Sequence, residues 1–512
     1  MNLPSYNSAE YFDEPLLQKT GFREYDARWI VAPIKDADSI GLNYVGARML
    51  GLHLGHFMQT QLQAGNEIVV GHDFREYSEN VKNALALGLL QSGMNVVDIG
   101  LTTTPAAYFA QFELDVSCVA MVTASHNENG WTGVKMGHRK ASTFGPTEMD
   151  AFRDQVLGDD QGVLVRAEHV DPGRYRSEKG VRAAYIDHLV STWGGKFAAL
   201  PSLRVAVECG NGTAGLYAPR LLRELGFQVS DGNVNPDWRF PHFNPNPESI
   251  PFLRSVEDLV RSSNADIGLC FDGDGDRLGV VDNTGHLVFA DRVGLLIARF
   301  LEDSENLSGP FVIDVKSTSL FETQLQGEVV WAKTGHSYVK AAVAESNAVA
   351  GFERSGHFFF SEPLGQGYDD ACVAALALLW TLARARAEST NVTLSSMLSA
   401  LPSSHSSPNR QPYVSDETKY DVVEKMASYF ESLGQLGGLP VSEVNRLNGV
   451  RLTLDDGSWL LVRASSNSPN LVIIAETFDK DGSLMQRFDD DVRLAIARTG
   501  VDVGHFESLA TL

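Results

Sequence analysis

The stretch FDGDGDRLGVVD, residues 271–282, sets three carboxylates at alternate positions, Asp272, Asp274 and Asp276, directly after an apolar run. Carboxylates this close repel one another unless a cation lies between them. The interleaved glycines let the backbone fold tightly enough for all three to turn inward. Oxygen-only ligands select a hard ion such as Mg2+ or Ca2+. An EF-hand also begins D-x-D-x-D, but its sixth position should be Gly and is Arg277, and its twelfth should be Glu and is Asn283. Arg277 beside the carboxylates suits a place where phosphate meets metal.

Other loops carry weaker signals of the same kind. VTASHNENGWTGVKMG, residues 122–137, puts Ser125, His126 and Asn127 in a row at the mouth of a strand, with Lys135 further on. Polar loops follow most strands, so this loop alone does not distinguish chemistry from solvation. LLVRASSNSPNLVI, residues 460–473, places Arg463, Ser465, Ser466, Asn467 and Ser468 between two apolar runs. A guanidinium with hydroxyls and turn amides can cradle a phosphate dianion, and an ordinary Ser/Asn hairpin reads the same way. GFERSGHFFF supplies Glu353, Ser355 and His357; AKTGH supplies Lys333 and His336; DVKST supplies Lys316. GFREYDARW carries Arg23, Tyr25 and Arg28, and VGHDFREYS carries Asp73 and Arg75, which read as internal braces of the first domain.

Alternating strands and helices would position these groups. The runs at 66–73, 94–100 and 117–123 read as strands, and 78–93 as a helix with a Ser N-cap and a Gly stop. A βαβα order of this kind implies a mainly parallel sheet. The pattern restarts at 203–215, 227–232 and 265–277, and again at 309–320 and 327–340, closing on a helix at 369–387. Residues 401–415, rich in Ser and Pro, read as a linker. Beyond it, one helix at 417–433 followed by alternating strands predicts a smaller α+β domain.

The 512 residues are too many for one core and suggest roughly three to five domains. Apolar content of 43% and charged content of 21% are globular values. A net charge of -23 argues against nucleic acid or an anionic membrane as partner, and requires any anionic ligand to be met by a local cluster of cations. No apolar run is long enough to span a bilayer. The segment MNLPSYNSAEYFDEP lacks the basic and apolar regions of a secretory signal, so a cytoplasmic protein is expected. Four widely spaced cysteines, Cys118, Cys209, Cys270 and Cys372, read as buried free thiols.

Together, from about residue 20 to about 475 and in order, these stretches resemble the α-D-phosphohexomutase family, of the phosphomannomutase/phosphoglucomutase type. Its T-A-S-H-N loop stands at Thr123 to Asn127, and its D-G-D-G-D-R loop is intact at 272–277. FERSGH (352–357) is similar to its sugar-recognition loop, and RASSNSP (463–469) to its phosphate loop. Its Y-D-x-R element matches Tyr25 to Arg28, and its T-G-H-x-x-x-K segment matches Thr334 to Lys340.

The resemblance implies an α/β fold of four domains round a central cleft: domain I at 1–165 with the phosphoserine loop, II at 183–285 with the metal loop, III at 286–400 with the sugar loop, and a mobile α+β domain IV at 410–512 with the phosphate loop. It implies a hexose 1-phosphate/6-phosphate mutase acting on mannose or glucose through phospho-Ser125. One Mg2+ would be held by Ser125, Asp272, Asp274 and Asp276, and a hexose 1,6-bisphosphate would serve as intermediate and activator. Arg28 and Arg277 would hold the moving phosphoryl, and His126 or Lys135 would handle charge or a proton. Tyr25, Asn127, Lys316, His336, Glu353, Ser355, His357, Arg463, Ser465 and Asn467 would bind substrate. The partner is a phosphosugar, and the protein a monomer or homodimer. Alternatives are a glucosamine-phosphate mutase of the same fold and a catalytically idle phosphosugar-binding phosphoprotein.

The chain departs from the family pattern at four places. Glu128 stands where Pro is usual, Arg354 where a neutral residue is common, Asn467 where Thr is common, and Glu208 where Asp is usual. A carboxylate at 128 could weaken phosphoryl binding, and Arg354 bears on the preferred sugar.

Overall fold

Short runs of β-branched and other apolar residues, such as 68–70 and 118–122, have no polar face to offer water and so form strands covered on both sides. The computed structural model describes residues 13–31, 39–158, 163 and 169–510. It divides into two compact units, Met1–Val293 with Ser355–Ser395, and Gly294–Arg354 with Ser396–Leu512. Residues 1–12, most of the segment that lacks the features of a secretory signal, lie outside the described residues, as do 159–162 and 164–168 at the end of the first expected domain.

The first unit holds two sheets. Six strands run in the order Ala27–Ile30, Trp131–Gly137, Cys118–Val122, Glu67–His72, Asn95–Leu101, Tyr175–Ser177. The last four pair in parallel, and the strand Trp131–Gly137 pairs antiparallel with both its neighbours. The core under this sheet is built from Leu50, Leu54, Phe57, Ile68, Val70, Leu85, Val122 and Phe152, all almost fully buried. Five strands form the second sheet: Leu287–Val288, Leu278–Val281, Ile267–Phe271, Arg204–Glu208, Gln228–Asp231. Its three parallel strands alternate with helices, and Leu278–Val281 returns antiparallel beside Ile267–Phe271. The same unit includes strand Phe358–Phe360 and helix Ala371–Glu388, capped by the Asp370 carboxylate accepting from the amides of Cys372 and Val373.

In the second unit, strand Phe311–Asp314 lies between Val329–Ala332 and Ala350–Phe352, all parallel. An antiparallel sheet follows in the order His405–Ser406, Leu471–Thr477, Trp459–Ala464, Val450–Leu454, Leu439–Asn445, Gln435–Leu436. Helices Lys419–Leu433 and Ser483–Thr499 supply Val422, Met426, Phe430, Leu484 and Phe488 to the core formed with Leu460, Val462 and Ile473. On the alternate positions, Trp459, Leu461 and Ile474 form a separate cluster with Val315. Strand Trp459–Ala464 is therefore buried on both faces.

Three local expectations need correction. Ser78 is the first residue of helix Ser78–Gln91 rather than its N-cap, because its hydroxyl is taken by Asp73 Oδ1. The 401–415 segment is not a free linker. His405–Ser406 pairs with Glu476 and Thr477, Arg410 bridges Ile473, and Ser407 Oγ accepts from the Ala475 amide. The last domain also has a second helix, Ser483–Thr499, whose apolar positions 484, 485, 488, 492 and 495 recur at helical spacing. All four cysteines are buried free thiols.

Candidate active site

In the first unit, the loop after strand Cys118–Val122 meets the loop after strand Ile267–Phe271. Ser125 Oγ donates to Asp272 Oδ2 at 3.0 Å and lies 3.2 Å from His126 Nδ1. Ser125 has a left-handed backbone, φ 51°, a conformation that costs a non-glycine residue on the order of 1–3 kcal/mol and persists only where its surroundings impose it. They do so here. Arg75 donates to the carbonyls of Ser125 (3.0 Å), Asn127 (2.6 Å) and Glu128 (3.1 Å). Asp73 accepts from Thr123 Oγ1 at 2.8 Å and from the Ala124 amide at 3.3 Å. The two residues read as braces from the sequence do brace this loop.

The acidic loop folds as its composition demands. Asp272 Oδ1 accepts from the amides of Gly275 (2.9 Å), Asp276 (3.1 Å) and Arg277 (3.2 Å), which closes the turn. Gly275 sits at φ 79°, in the left-handed region that favours glycine. Gly273 lets the serine loop approach: a Cβ there would lie 2.6 Å from the Ser125 carbonyl oxygen. The three carboxylates are completely buried, with ligand atoms within 4.8 Å of one another. Lys135 Nζ lies 2.8 Å from Asp274 Oδ2 and also bonds Asp276 Oδ2. Thr104 Oγ1 donates to Asp274 Oδ2, and the Thr104 amide donates to the Asp274 carbonyl.

The charges respond to this crowding. Burial, and behind it the Asp276 and Asp274 charges, push the Asp272 carboxyl well above the usual carboxylate range. For Asp274, burial is outweighed by Lys135 and by the bonds from Lys135 and Thr104, which hold its carboxyl low. Burial would also lower Lys135, but Asp274 and Asp276 keep its ammonium charged well above the usual range. His126 is kept neutral, first by burial and then by the Arg277 and Arg28 charges. The Oδ1 atoms of Asp274 and Asp276 are buried with no hydrogen-bond partner. Two orphaned carboxylate oxygens in an all-oxygen cage fit a hard divalent cation.

Around the cage stand two arginines. Arg28 Nε donates to Asp26 Oδ2 at 2.9 Å, and its Nη1 donates to Asn127 Oδ1. Arg277 Nε donates to His357 Nε2 at 2.9 Å, and His357 Nδ1 lies 3.0 Å from Asp369 Oδ2. Tyr25 is buried just before strand Ala27–Ile30. Ser355 is also in this unit and is buried.

The sequence matches known proteins along most of its length. Residues 19–162, 183–285 and 289–404 match the models of phosphoglucomutase/phosphomannomutase alpha/beta/alpha domains I, II and III. The chain belongs to the phosphoglucomutase/phosphomannomutase family. It is 32% identical to phosphomannomutase/phosphoglucomutase of Pseudomonas aeruginosa over 465 residues, 90% of this chain and 92% of the relative. It is 31% identical to the Pseudomonas putida protein of that name over 484 residues, 93% and 95% of the two chains. The crystal structure of a family protein from Burkholderia thailandensis superposes with a TM-score of 0.78 at 29% identity, covering 96% of this chain and all of that one.

In this family member the remaining expected residues lie in the second unit, apart from those already placed. Lys316 follows strand Phe311–Asp314, buried, its Nζ 3.9 Å from Asp314 Oδ2. His336 opens helix His336–Ser346, and Glu353 Oε1 accepts from the preceding Gly335 amide at 2.5 Å. Arg463 Nη2 donates to Ser466 Oγ at 2.9 Å, and the Asn467 amide lies 3.4 Å from Ser465 Oγ. The Arg463 Nε is buried without a partner. Arg354, one of the departures, donates to the Ser407 carbonyl at 3.2 Å. Glu208, another, accepts from the amides of Gly210 and Asn233 and so shapes its own turn.

Sequence reasoning missed three supporting residues. Thr104 bonds Asp274, Asn244 donates to the His126 carbonyl, and Lys419 Nζ holds the Ser465 carbonyl at 2.5 Å and that of Ser468 at 3.2 Å. Asn244 lies in a Pro/Asn-rich stretch and Lys419 at a helix start, and neither context distinguishes it locally.

Proposed function

We infer that this chain is a phosphohexomutase that interconverts the 1- and 6-phosphates of mannose, glucose or both through phospho-Ser125. The observation that carries the reading is the Ser125 hydroxyl bonded to Asp272 inside a buried three-aspartate cage. Asp272, Asp274, Asp276 and Ser125 Oγ would hold one Mg2+. When bound, the ion neutralises charge on the phosphoryl oxygens during transfer.

The chain's own residues supply the rest. Arg28 and Arg277 would bind the phosphoryl oxygens, with Asn127 oriented by Arg28. Neutral His126, against Ser125 Oγ, is suited to exchange a proton at the attacking hydroxyl, and Lys135 to counter developing charge. In the first transfer the sugar hydroxyl oxygen would bond phosphorus as the Ser125 O–P bond breaks, with the hydroxyl proton passing to His126 and from it to the departing Ser125 Oγ. The hexose 1,6-bisphosphate then turns over and returns its other phosphoryl to Ser125 by the reverse steps. Lys316, His336, Glu353, Ser355 and His357 would bind the sugar and its phosphate, and Arg463, Ser465 and Asn467 the distal phosphate. Clustered cations let a chain of net charge -23 bind a doubly phosphorylated sugar.

The test is incubation with Mg2+, hexose 1-phosphate and a trace of hexose 1,6-bisphosphate, following the 6-phosphate. Turnover that disappears in Ser125→Ala, with a phosphate mass on the Ser125 peptide of the wild type, supports the reading. No turnover with either sugar and no phosphate at Ser125 would end it.

A further inference from the structure

The sequence misrepresents the setting of Arg451. In VRLTL (450–454) the residues alternate, and Arg451 occupies a position that a half-buried strand turns to water. Instead it is 2% exposed. It lies on the face of the antiparallel sheet opposite the two helices, whose side is taken by Val450, Leu452 and Leu454.

Two tryptophans enclose its guanidinium, whose carbon is 3.9 Å from the Trp459 ring centroid and 4.4 Å from that of Trp331. Nη1 donates to the carbonyls of Val315 at 2.6 Å and Ser317 at 2.9 Å. Those carbonyls flank Lys316. Two further contacts tie the same loop to the same sheet: Val315 packs with Trp459, Leu461 and Ile474, and Ser319 Oγ donates to the Gly457 carbonyl at 2.8 Å. Trp459 is itself fixed by its Nε1 donating to Glu476 Oε2 at 2.9 Å.

The arrangement is costly for stability alone. Nη2 of Arg451 is buried with no hydrogen-bond partner, and burial pulls the guanidinium down to about 10. A well-packed apolar residue often serves stability as well as a buried charge does. What an apolar residue cannot do is grip two carbonyls, one on each side of a lysine.

The geometry points to Arg451 as a positioning residue: clamped between Trp331 and Trp459, it holds the Val315 and Ser317 carbonyls so that Lys316 is presented to the substrate in a fixed place. The same sheet carries Arg463 at the end of strand Trp459–Ala464. This assignment rests on the proposed role of Lys316 as a substrate-binding group.

The experiment uses the full-length protein with Arg451→Met and Arg451→Lys, the lysine keeping a cation between the rings but offering a single ammonium. Hydrogen exchange of amides 315–320 should quicken about tenfold or more in the methionine variant and less in the lysine variant, while the Ser125 loop exchanges as in the wild type. KM for hexose 1-phosphate should rise about tenfold with kcat within about threefold, and Arg451→Met should add little to KM in a Lys316→Ala background. Unchanged exchange over 315–320, or KM effects that simply add in the double variant, overturns the assignment. Should wild type turn over no hexose phosphate, the mutase reading is lost, and the exchange rates alone decide whether Arg451 holds the loop. If the methionine variant does not fold, the lysine variant decides the matter by the same measurements.

Discussion

The hydroxyl of Ser125 and the carboxylate of Asp272, 147 positions apart in sequence, meet at 3.0 Å in a fully buried pair. Neither residue can shift without moving the other's loop, because Gly273 lies against the Ser125 carbonyl. The serine loop and the acidic loop are thus one object made from two sheets' loops.

Removing one cage carboxylate should therefore disable both ion binding and transfer. Asp272→Asn is expected to lower kcat/KM by a factor on the order of 10^2–10^3. Wild type should gain Tm on adding Mg2+, since an ion that binds only the folded state at 100 times its Kd adds about 2.7 kcal/mol, and Asp272→Asn should abolish that gain. Initial rates and thermal melts with and without chelator measure the two effects.

The close approach at Gly273 predicts a second outcome. Gly273→Ala puts a Cβ 2.6 Å from the Ser125 carbonyl oxygen, so one backbone must yield. The expected loss of stability is about 1–3 kcal/mol, with a larger proportional loss in kcat than in KM, read from urea unfolding and steady-state rates. A fully active variant would show that the loops are not tightly joined.

Arg75 braces the strained serine and pairs with buried Asp73. Arg75→Met leaves that carboxylate without its cation and should cost about 3–5 kcal/mol. Urea midpoints measure the loss, and phosphopeptide mass should show less phosphate retained at Ser125.

A pH dependence follows from Asp370, the cap of helix Ala371–Glu388. Burial pushes its carboxyl up to about 6 against an ordinary 3.8, although bonds from Val373, Tyr185 and Cys372 pull the other way. The folded state thus binds this proton more tightly than the unfolded chain. Its stabilising contribution is complete below about pH 4 and is lost as pH rises through 6. Wild type should gain about 1–3 kcal/mol relative to Asp370→Asn on going from pH 7 to pH 4. Parallel unfolding curves for the two proteins over that range would contradict this.

Much of the site was legible because its chemistry is local in sequence. The D-G-D-G-D-R loop carries its own turn glycines and its own repulsion, and the strand before it is a continuous apolar run. Asp73 and Arg75 could be read as braces because both lie in one short polar break after a strand. The hidden part is long-range. Thr104 reaches Asp274 across 170 positions and Arg451 reaches Val315 across 136, and nothing beside either residue marks the partner. Ser78 misled because a hydroxyl before a helix has two uses, and the nearby Asp73 claimed it. The 401–415 segment misled because Ser and Pro signal loops, yet its backbone supplies the edge that strand Leu471–Thr477 needs.

The order of the chain through its two units has a bearing on synthesis. Residues 294–354 emerge from the ribosome before 355–395, which belong to the other unit, and only after those come 396–512. The first unit cannot be completed until a foreign segment has been made in its midst, and the second must wait for the last helix. A nascent chain halted near residue 320 should expose the apolar strand Phe311–Asp314 before its partners Val329–Ala332 and Ala350–Phe352 have been made, leaving it for a chaperone to cover.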